Sequence, residues 1–94
     1  MPEKCTQIII RGQVQGVFFR KFTKGKAREL GISGFVRNEY DGSVYIEACG
    51  ENSHLEKFIL WCHYGPEHAR VEKVEVKEIE SKSFSSFSIT YFQK

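Results

Sequence analysis

Several features are scarce in this sequence, and each scarcity excludes something. Two prolines in 94 residues exclude a collagen-like or polyproline chain. With 40% apolar and 28% charged residues, disorder and low complexity are excluded as well. No uninterrupted apolar run exceeds five residues, whereas a membrane-spanning helix needs about 20. The start, Met1-Pro2-Glu3-Lys4-Cys5, has no apolar segment of the signal-peptide kind, so no signal peptide is expected. No Cys-x-x-Cys or paired-histidine motif is present, so a structural zinc site is not expected. The three cysteines, Cys5, Cys49 and Cys62, are odd in number and scattered. They read as free thiols of a reducing, cytoplasmic compartment.

What is present fits one domain over residues 1–94, because a second core would not fit in this length. A chain of this size buries about two thirds of its unfolded surface. Eight phenylalanines, four tyrosines and one tryptophan supply bulky core material. The net charge of +2 hides an asymmetry. Residues 1–40 hold eight Lys/Arg against three Asp/Glu, and residues 41–94 hold six against nine. An anion would be drawn to the first half, although a solvated basic helix face has the same composition.

Thr6 to Gln13 reads as a strand with Ile8 and Ile10 on one face. The apolar period then becomes helical through Phe19, Thr23, Ala27 and Leu30, and Gly31 closes the helix. Ser33 to Glu39 and Ser43 to Cys49 read as strands joined by Tyr40-Asp41-Gly42, with Val44, Ile46 and Ala48 inward. Ser53-x-x-Glu56 is a capping-box pattern before the stripe Leu55, Phe58, Ile59, Cys62, and Gly65-Pro66 ends that helix. A fourth strand runs through Val74 and Val76 to Ile79. Phe87, Ile89 and Tyr91 form a fifth. The order β-α-β-β-α-β plus a short C-terminal strand predicts an α+β, ferredoxin-like sandwich: an antiparallel sheet with two helices on one face. That fold hosts many functions.

The stretch Gly12-Gln13-Val14-Gln15-Gly16-Val17-Phe18-Phe19-Arg20 sits between a strand and a helix N-terminus. Such a junction leaves backbone N–H groups unpaired and aims the positive end of the helix dipole at the loop. Glycines let successive N–H groups converge into a nest for an anion, typically a phosphate. Arg20 in the first helical turn opposes the dipole, and a broken local rule often marks a site. With a phosphate in the loop the conflict disappears and Arg20 becomes a bidentate clamp. From spacing alone, a phosphate cradle and an ordinary turn beside a solvated arginine fit this stretch equally. Neither Gly-x-x-x-x-Gly-Lys-Ser/Thr nor Gly-x-Gly-x-x-Gly is present.

The run from Ile10 to Arg20 resembles the first signature of the acylphosphatases. Gly34-Phe35-Val36-Arg37-Asn38, then Gly42-Ser43-Val44 and Gly50, resembles their second. Gly65-Pro66 and Ala69-Arg70-Val71 are also similar to that family, so the likeness covers nearly the whole chain. Gln13 departs from it, since many members carry arginine there. The resemblance implies a metal-independent hydrolase, with no cofactor, that cleaves the carboxyl–phosphate bond of acyl phosphates. By matching positions, the backbone of Gln15, Gly16, Val17, Phe18 and Phe19 binds the phosphoryl group together with the side chain of Arg20. Asn38 holds the attacking water. Asn38 can orient a water without titrating, having both an acceptor oxygen and a donor amide, although alone it would also suit the adjacent turn.

The implied partners are a small-molecule acyl phosphate, and inorganic phosphate as product and competitive ligand. No nucleic acid and no membrane is expected, and the chain is expected to act as a monomer. His54, His63 and His68 read as surface residues and Trp61 as packing. Lys21, Lys24 and Arg28 share a helix face with Arg20, either steering anions or simply solvated. Two rival classes share features with this sequence. An RNA-binding sheet is faintly echoed by Gly34-Phe35-Val36 but lacks the second glycine–aromatic pair. A ligand-sensing or carbamoyl-handling domain of a larger enzyme is the other.

Overall fold

The computed structural model describes residues 3–91. The chain runs β1 (Lys4–Gln13), α1 (Phe19–Glu29), β2 (Ser33–Asn38), β3 (Val44–Gly50), α2 (Asn52–Tyr64), β4 (Arg70–Ile79) and β5 (Phe87–Ile89). The strands form one sheet in the order β4-β1-β3-β2-β5. Pairs β1–β3, β1–β4 and β2–β3 are antiparallel, whereas β5 lies parallel to β2, so the sheet is mixed where an antiparallel one was expected. The chain reaches β5 from β4 at the opposite edge, and that return direction makes it parallel to β2.

Alternation along β1 and β3 places Ile8, Ile10, Val44, Ile46 and Ala48 on the covered face, each fully buried. Both helices pack on that face, α1 over β2 and β5 and α2 over β4, β1 and β3. Phe19, Thr23 and Ala27 form the buried stripe of α1, and Leu55, Phe58 and Cys62 that of α2. Phe58 joins the two ends of the core, lying 6.0 Å from Phe87 and 6.5 Å from Trp61 between ring centroids. Removing a ring of this kind costs about 3–5 kcal/mol. Trp61 also packs on Phe19 at 5.7 Å, the packing role expected for it.

Three local expectations are corrected. Helix α2 begins at Asn52 with Glu51 as its cap residue and no side-chain capping bond, so Ser53 and Glu56 make no capping box. The first helical bond already runs from the Leu55 N–H to the Glu51 carbonyl, which puts Ser53 inside the first turn. Strand β4 starts earlier than Val74. A register shift at Arg11/Gly12 lets Gly12 and Gln13 pair with Val71 and Arg70. At Gly12 the two backbones come so close that a Cβ would collide with the Arg70 carbonyl oxygen.

The third correction concerns the cysteines. Cys5 and Cys49 form a disulfide. They are direct partners in the β1–β3 register, with Cα atoms 4.1 Å apart. Only the folded register brings these residues together, 44 positions apart in sequence. Among the described residues Cys62 is the free cysteine, and burial pushes its thiol up.

Candidate active site

The backbone between β1 and α1 departs from regular structure twice. Gly16 has φ 75° and Phe18 has φ 61°. Phe18 is the cap residue of α1 and lies in the left-handed region, which a bulky side chain rarely occupies. Strain of this kind costs about 1–3 kcal/mol and persists where the surroundings impose it. Gly16 permits its own left-handed turn without a Cβ penalty.

The result is a curl of donors. Among the described residues, none of the backbone N–H groups from Gln15 to Arg20 donates a backbone hydrogen bond. The first bond of α1 runs from the Phe22 N–H to the Phe18 carbonyl at 3.1 Å. No acidic residue occupies the first turn of the helix, and its cap has no side-chain acceptor. The positive end of α1 therefore faces the loop uncompensated.

A cleft of about 250 Å³ opens at this point, lined by Gly16, Phe18, Phe19, Arg20, Lys21 and Asn38, with Val14, Ile89 and Tyr91 completing its walls. Arg20 and Asn38, eighteen positions apart and on different elements, thus face one space. The Asn38 side-chain oxygen is buried and has no hydrogen-bond partner among the described residues. A buried acceptor without a donor is costly, and such a group in a cleft calls for a water or ligand. Asn38 sits at the end of β2, where β2 pairs with Val44 of β3.

The structure brings Gly16, Phe18, Phe19, Arg20 and Asn38 together. Val17 instead packs against the core and lines a neighbouring cavity with Phe22 and Trp61. The Gln15 side chain is a strut: its Nε2 donates to the Glu39 carbonyl at 2.8 Å and to the Ser43 carbonyl at 2.9 Å. It ties the loop to the turn that follows Asn38. That turn is itself pinned. Asp41 accepts from the Ser43 N–H at 2.9 Å and the Ser43 hydroxyl at 2.5 Å, and pairs with Arg11 at 3.1 Å. The Ser43 hydroxyl and N–H, with Arg11 adding to them, hold the Asp41 carboxyl down at about 2.

Sequence reasoning missed two things. The Gln15 strut has no local signal, because its acceptors lie 24 and 28 residues away. Tyr91 is expected in the fifth strand with Phe87 and Ile89, but β5 ends at Ile89 and Tyr91 is 68% exposed at the cleft. Arg20 places its guanidinium carbon 5.2 Å from the Tyr91 ring centroid. Among the described residues Arg20, Lys21, Lys24 and Arg28 form no ion pair, whereas Lys26 pairs with Glu29. The local field at the cleft is therefore positive. On the open face of the sheet, Arg37 stacks on Tyr45 at 4.6 Å and on Phe35 at 5.5 Å, covering the aromatics that an RNA-binding sheet would leave free.

Comparison with known proteins fits this geometry. The acylphosphatase family model matches residues 6–89. An acylphosphatase of Archaeoglobus fulgidus is 49% identical over 85 residues, covering 90% of this chain and 96% of that protein. A solved acylphosphatase from Coxiella burnetii superposes with a TM-score of 0.91 at 38% identity, covering 94% of this chain and 93% of that one. The T. kodakarensis HypF structure gives a TM-score of 0.84 at 32% identity, covering 96% of this chain but 12% of that much longer one.

Proposed function

Since the chain belongs to the acylphosphatase family and cleaves acyl phosphates to a carboxylate and inorganic phosphate, we propose that the Arg20–Asn38 cleft is where this happens. In this reading the backbone N–H groups of Gln15 to Phe19 and the Arg20 guanidinium hold the phosphoryl oxygens, and Asn38 holds the water. One observation carries it: Asn38, whose buried side-chain oxygen has no partner among the described residues, lines the same cleft as Arg20, which forms no ion pair there.

The chemistry needs little more. Phosphoryl transfer asks mainly for positioning and charge stabilisation. The loop and Arg20 place negative charge against fixed N–H donors, which need no reorganisation during the reaction. The Asn38 oxygen accepts a hydrogen bond from the water and aims its lone pair at phosphorus. Water oxygen bonds to phosphorus as the phosphorus–oxygen bond to the acyl group breaks. The pair of electrons leaves with the carboxylate. Carboxylate is a good leaving group, so no general acid is required, and a phosphate oxygen of the substrate takes the water proton. The unpaired cations Lys21, Lys24 and Arg28 draw the anionic substrate in.

The reading extends to one domain over 1–94 acting as a monomer without a metal or other cofactor, and phosphate is its competitive ligand. The cytoplasmic location expected from three free thiols loses that argument, because Cys5 and Cys49 are bonded to each other. Among the described residues no helix is long and apolar enough to cross a membrane. The experiment is hydrolysis of an aromatic acyl phosphate with and without excess EDTA, with inorganic phosphate titrated in. Full activity in EDTA, competitive inhibition by phosphate and a phosphate-induced rise in melting temperature are expected. Activity lost in EDTA and restored by Mg²⁺, or phosphate that neither competes nor stabilises, would contradict it.

A further inference from the structure

We infer that Tyr91 is a positioning residue for the phosphate clamp, its ring holding the Arg20 guanidinium so that the in-plane N–H donors face the cleft. The inference rests on the reading of Arg20 as the phosphoryl ligand. Among the described residues the Arg20 guanidinium forms no ion pair, and the Tyr91 ring lies against it, 5.2 Å from ring centroid to guanidinium carbon. An ion pair to a carboxylate would fix Arg20 equally well, but it would occupy the donors that a phosphate needs. A stacked aromatic ring holds the guanidinium by its face and leaves its five N–H donors available.

The placement of Tyr91 follows from the parallel edge strand. Gly34 pairs with Phe87, Phe35 with Ser88 and Val36 with Ile89. The Thr90 N–H then donates to the Val36 carbonyl at 2.8 Å, so the backbone stays tied to β2 one residue past the strand. Continuing that register brings Tyr91 level with Asn38, and both line the cleft. Strand β2 therefore carries Asn38 directly and fixes Arg20 through Tyr91. The two groups that must meet the same phosphorus are referenced to one strand. Burial does not account for Tyr91, because it is 68% exposed.

The test compares the parent enzyme with Tyr91→Leu, Tyr91→Phe and Arg20→Ala, using benzoyl phosphate as substrate and inorganic phosphate as inhibitor. Tyr91→Leu should raise KM and the phosphate inhibition constant by about tenfold, the range of a cation–ring contact. Its kcat should change by less than about threefold, because the ring touches no reacting atom. Its melting temperature should stay with that of the parent. Tyr91→Phe keeps the ring and should restore both constants to within about twofold. Tyr91→Leu kinetics equal to the parent, Tyr91→Phe as impaired as Tyr91→Leu, or loss of activity tracking loss of melting temperature would overturn the inference. Arg20→Ala separates the two readings. If it keeps its activity, the site assignment itself falls. If it is inactive while Tyr91→Leu is normal, the positioning role alone falls.

Discussion

Breaking the Cys5–Cys49 bond should destabilise the protein without touching its chemistry. The bond joins residues 44 apart, and its main effect is on the unfolded chain, whose freedom it restricts. The loop-entropy relation for 44 residues gives about 13 cal/mol/K, or about 4 kcal/mol at 25 °C. For a domain of this length that corresponds to a fall in melting temperature of roughly 15–30 °C. The bond lies at the far end of the sheet from the cleft. Cys5 precedes Gln13 by eight residues along β1, about 26 Å at the rise of a strand. Turnover of the still-folded reduced protein at 25 °C should therefore equal that of the oxidised protein. The assay is a thermal melt with and without reductant, with thiols counted after unfolding to prove reduction, beside kcat on benzoyl phosphate. The Cys5→Ser, Cys49→Ser double variant should melt like the reduced parent. A fully reduced protein melting within about 3 °C of the oxidised one would refute the entropic argument.

Three further outcomes are expected. Gln15→Ala removes the donor to both the Glu39 and Ser43 carbonyls, so unfolding free energy should fall by about 1–3 kcal/mol in a denaturant titration. Its kcat should drop by about tenfold as the loop loosens from the strand end that bears Asn38, a displacement effect of the kind that small shifts produce. Asp41 sits below its ordinary value because the Ser43 hydroxyl and N–H, then Arg11, favour its ionised form. Its contribution to stability is thus fully present above about pH 4 and lost as pH falls towards about 2. The melting gap between the parent and Asp41→Ala should be open at pH 7 and narrow towards pH 2. Asn38→Ala should collapse turnover while the phosphate inhibition constant stays within a few-fold; equal loss of both would make Asn38 a binding or structural residue.

Much of this was legible in the sequence, for physical reasons that differ by element. Ile8, Ile10, Val44, Ile46 and Ala48 alternate on a period of two, and one covered face follows from that period alone. Helix α1 showed itself through Phe19, Thr23 and Ala27 and through Gly31, whose N–H closes on the Arg28 carbonyl at 3.2 Å. The cleft was legible through two glycines and an arginine at a strand-to-helix junction, because the functional need there is a local backbone shape. The disulfide was not, since its geometry exists only once β1 and β3 are in register. Tyr91 was hidden for a similar reason: alternation gives it the face of Phe87 and Ile89, but only the parallel pairing with β2 sets it against Arg20. The capping-box pattern at Ser53 misled because the helix is capped two residues earlier, at Glu51.

The central claim, that Arg20 grips the phosphoryl group through its planar fork, is tested most directly by kcat and KM of Arg20→Lys beside a circular dichroism melt. Lysine keeps the charge but offers a point donor in place of two parallel N–H groups. Losing one charge-assisted bond removes about 1.5–3 kcal/mol, and phosphorus is then misplaced relative to the water on Asn38. The account predicts a protein that melts like the parent and turns over at least about a hundredfold more slowly. A folded Arg20→Lys enzyme with more than about half of the parent's activity would contradict it, since a bidentate fork could not be replaced so cheaply.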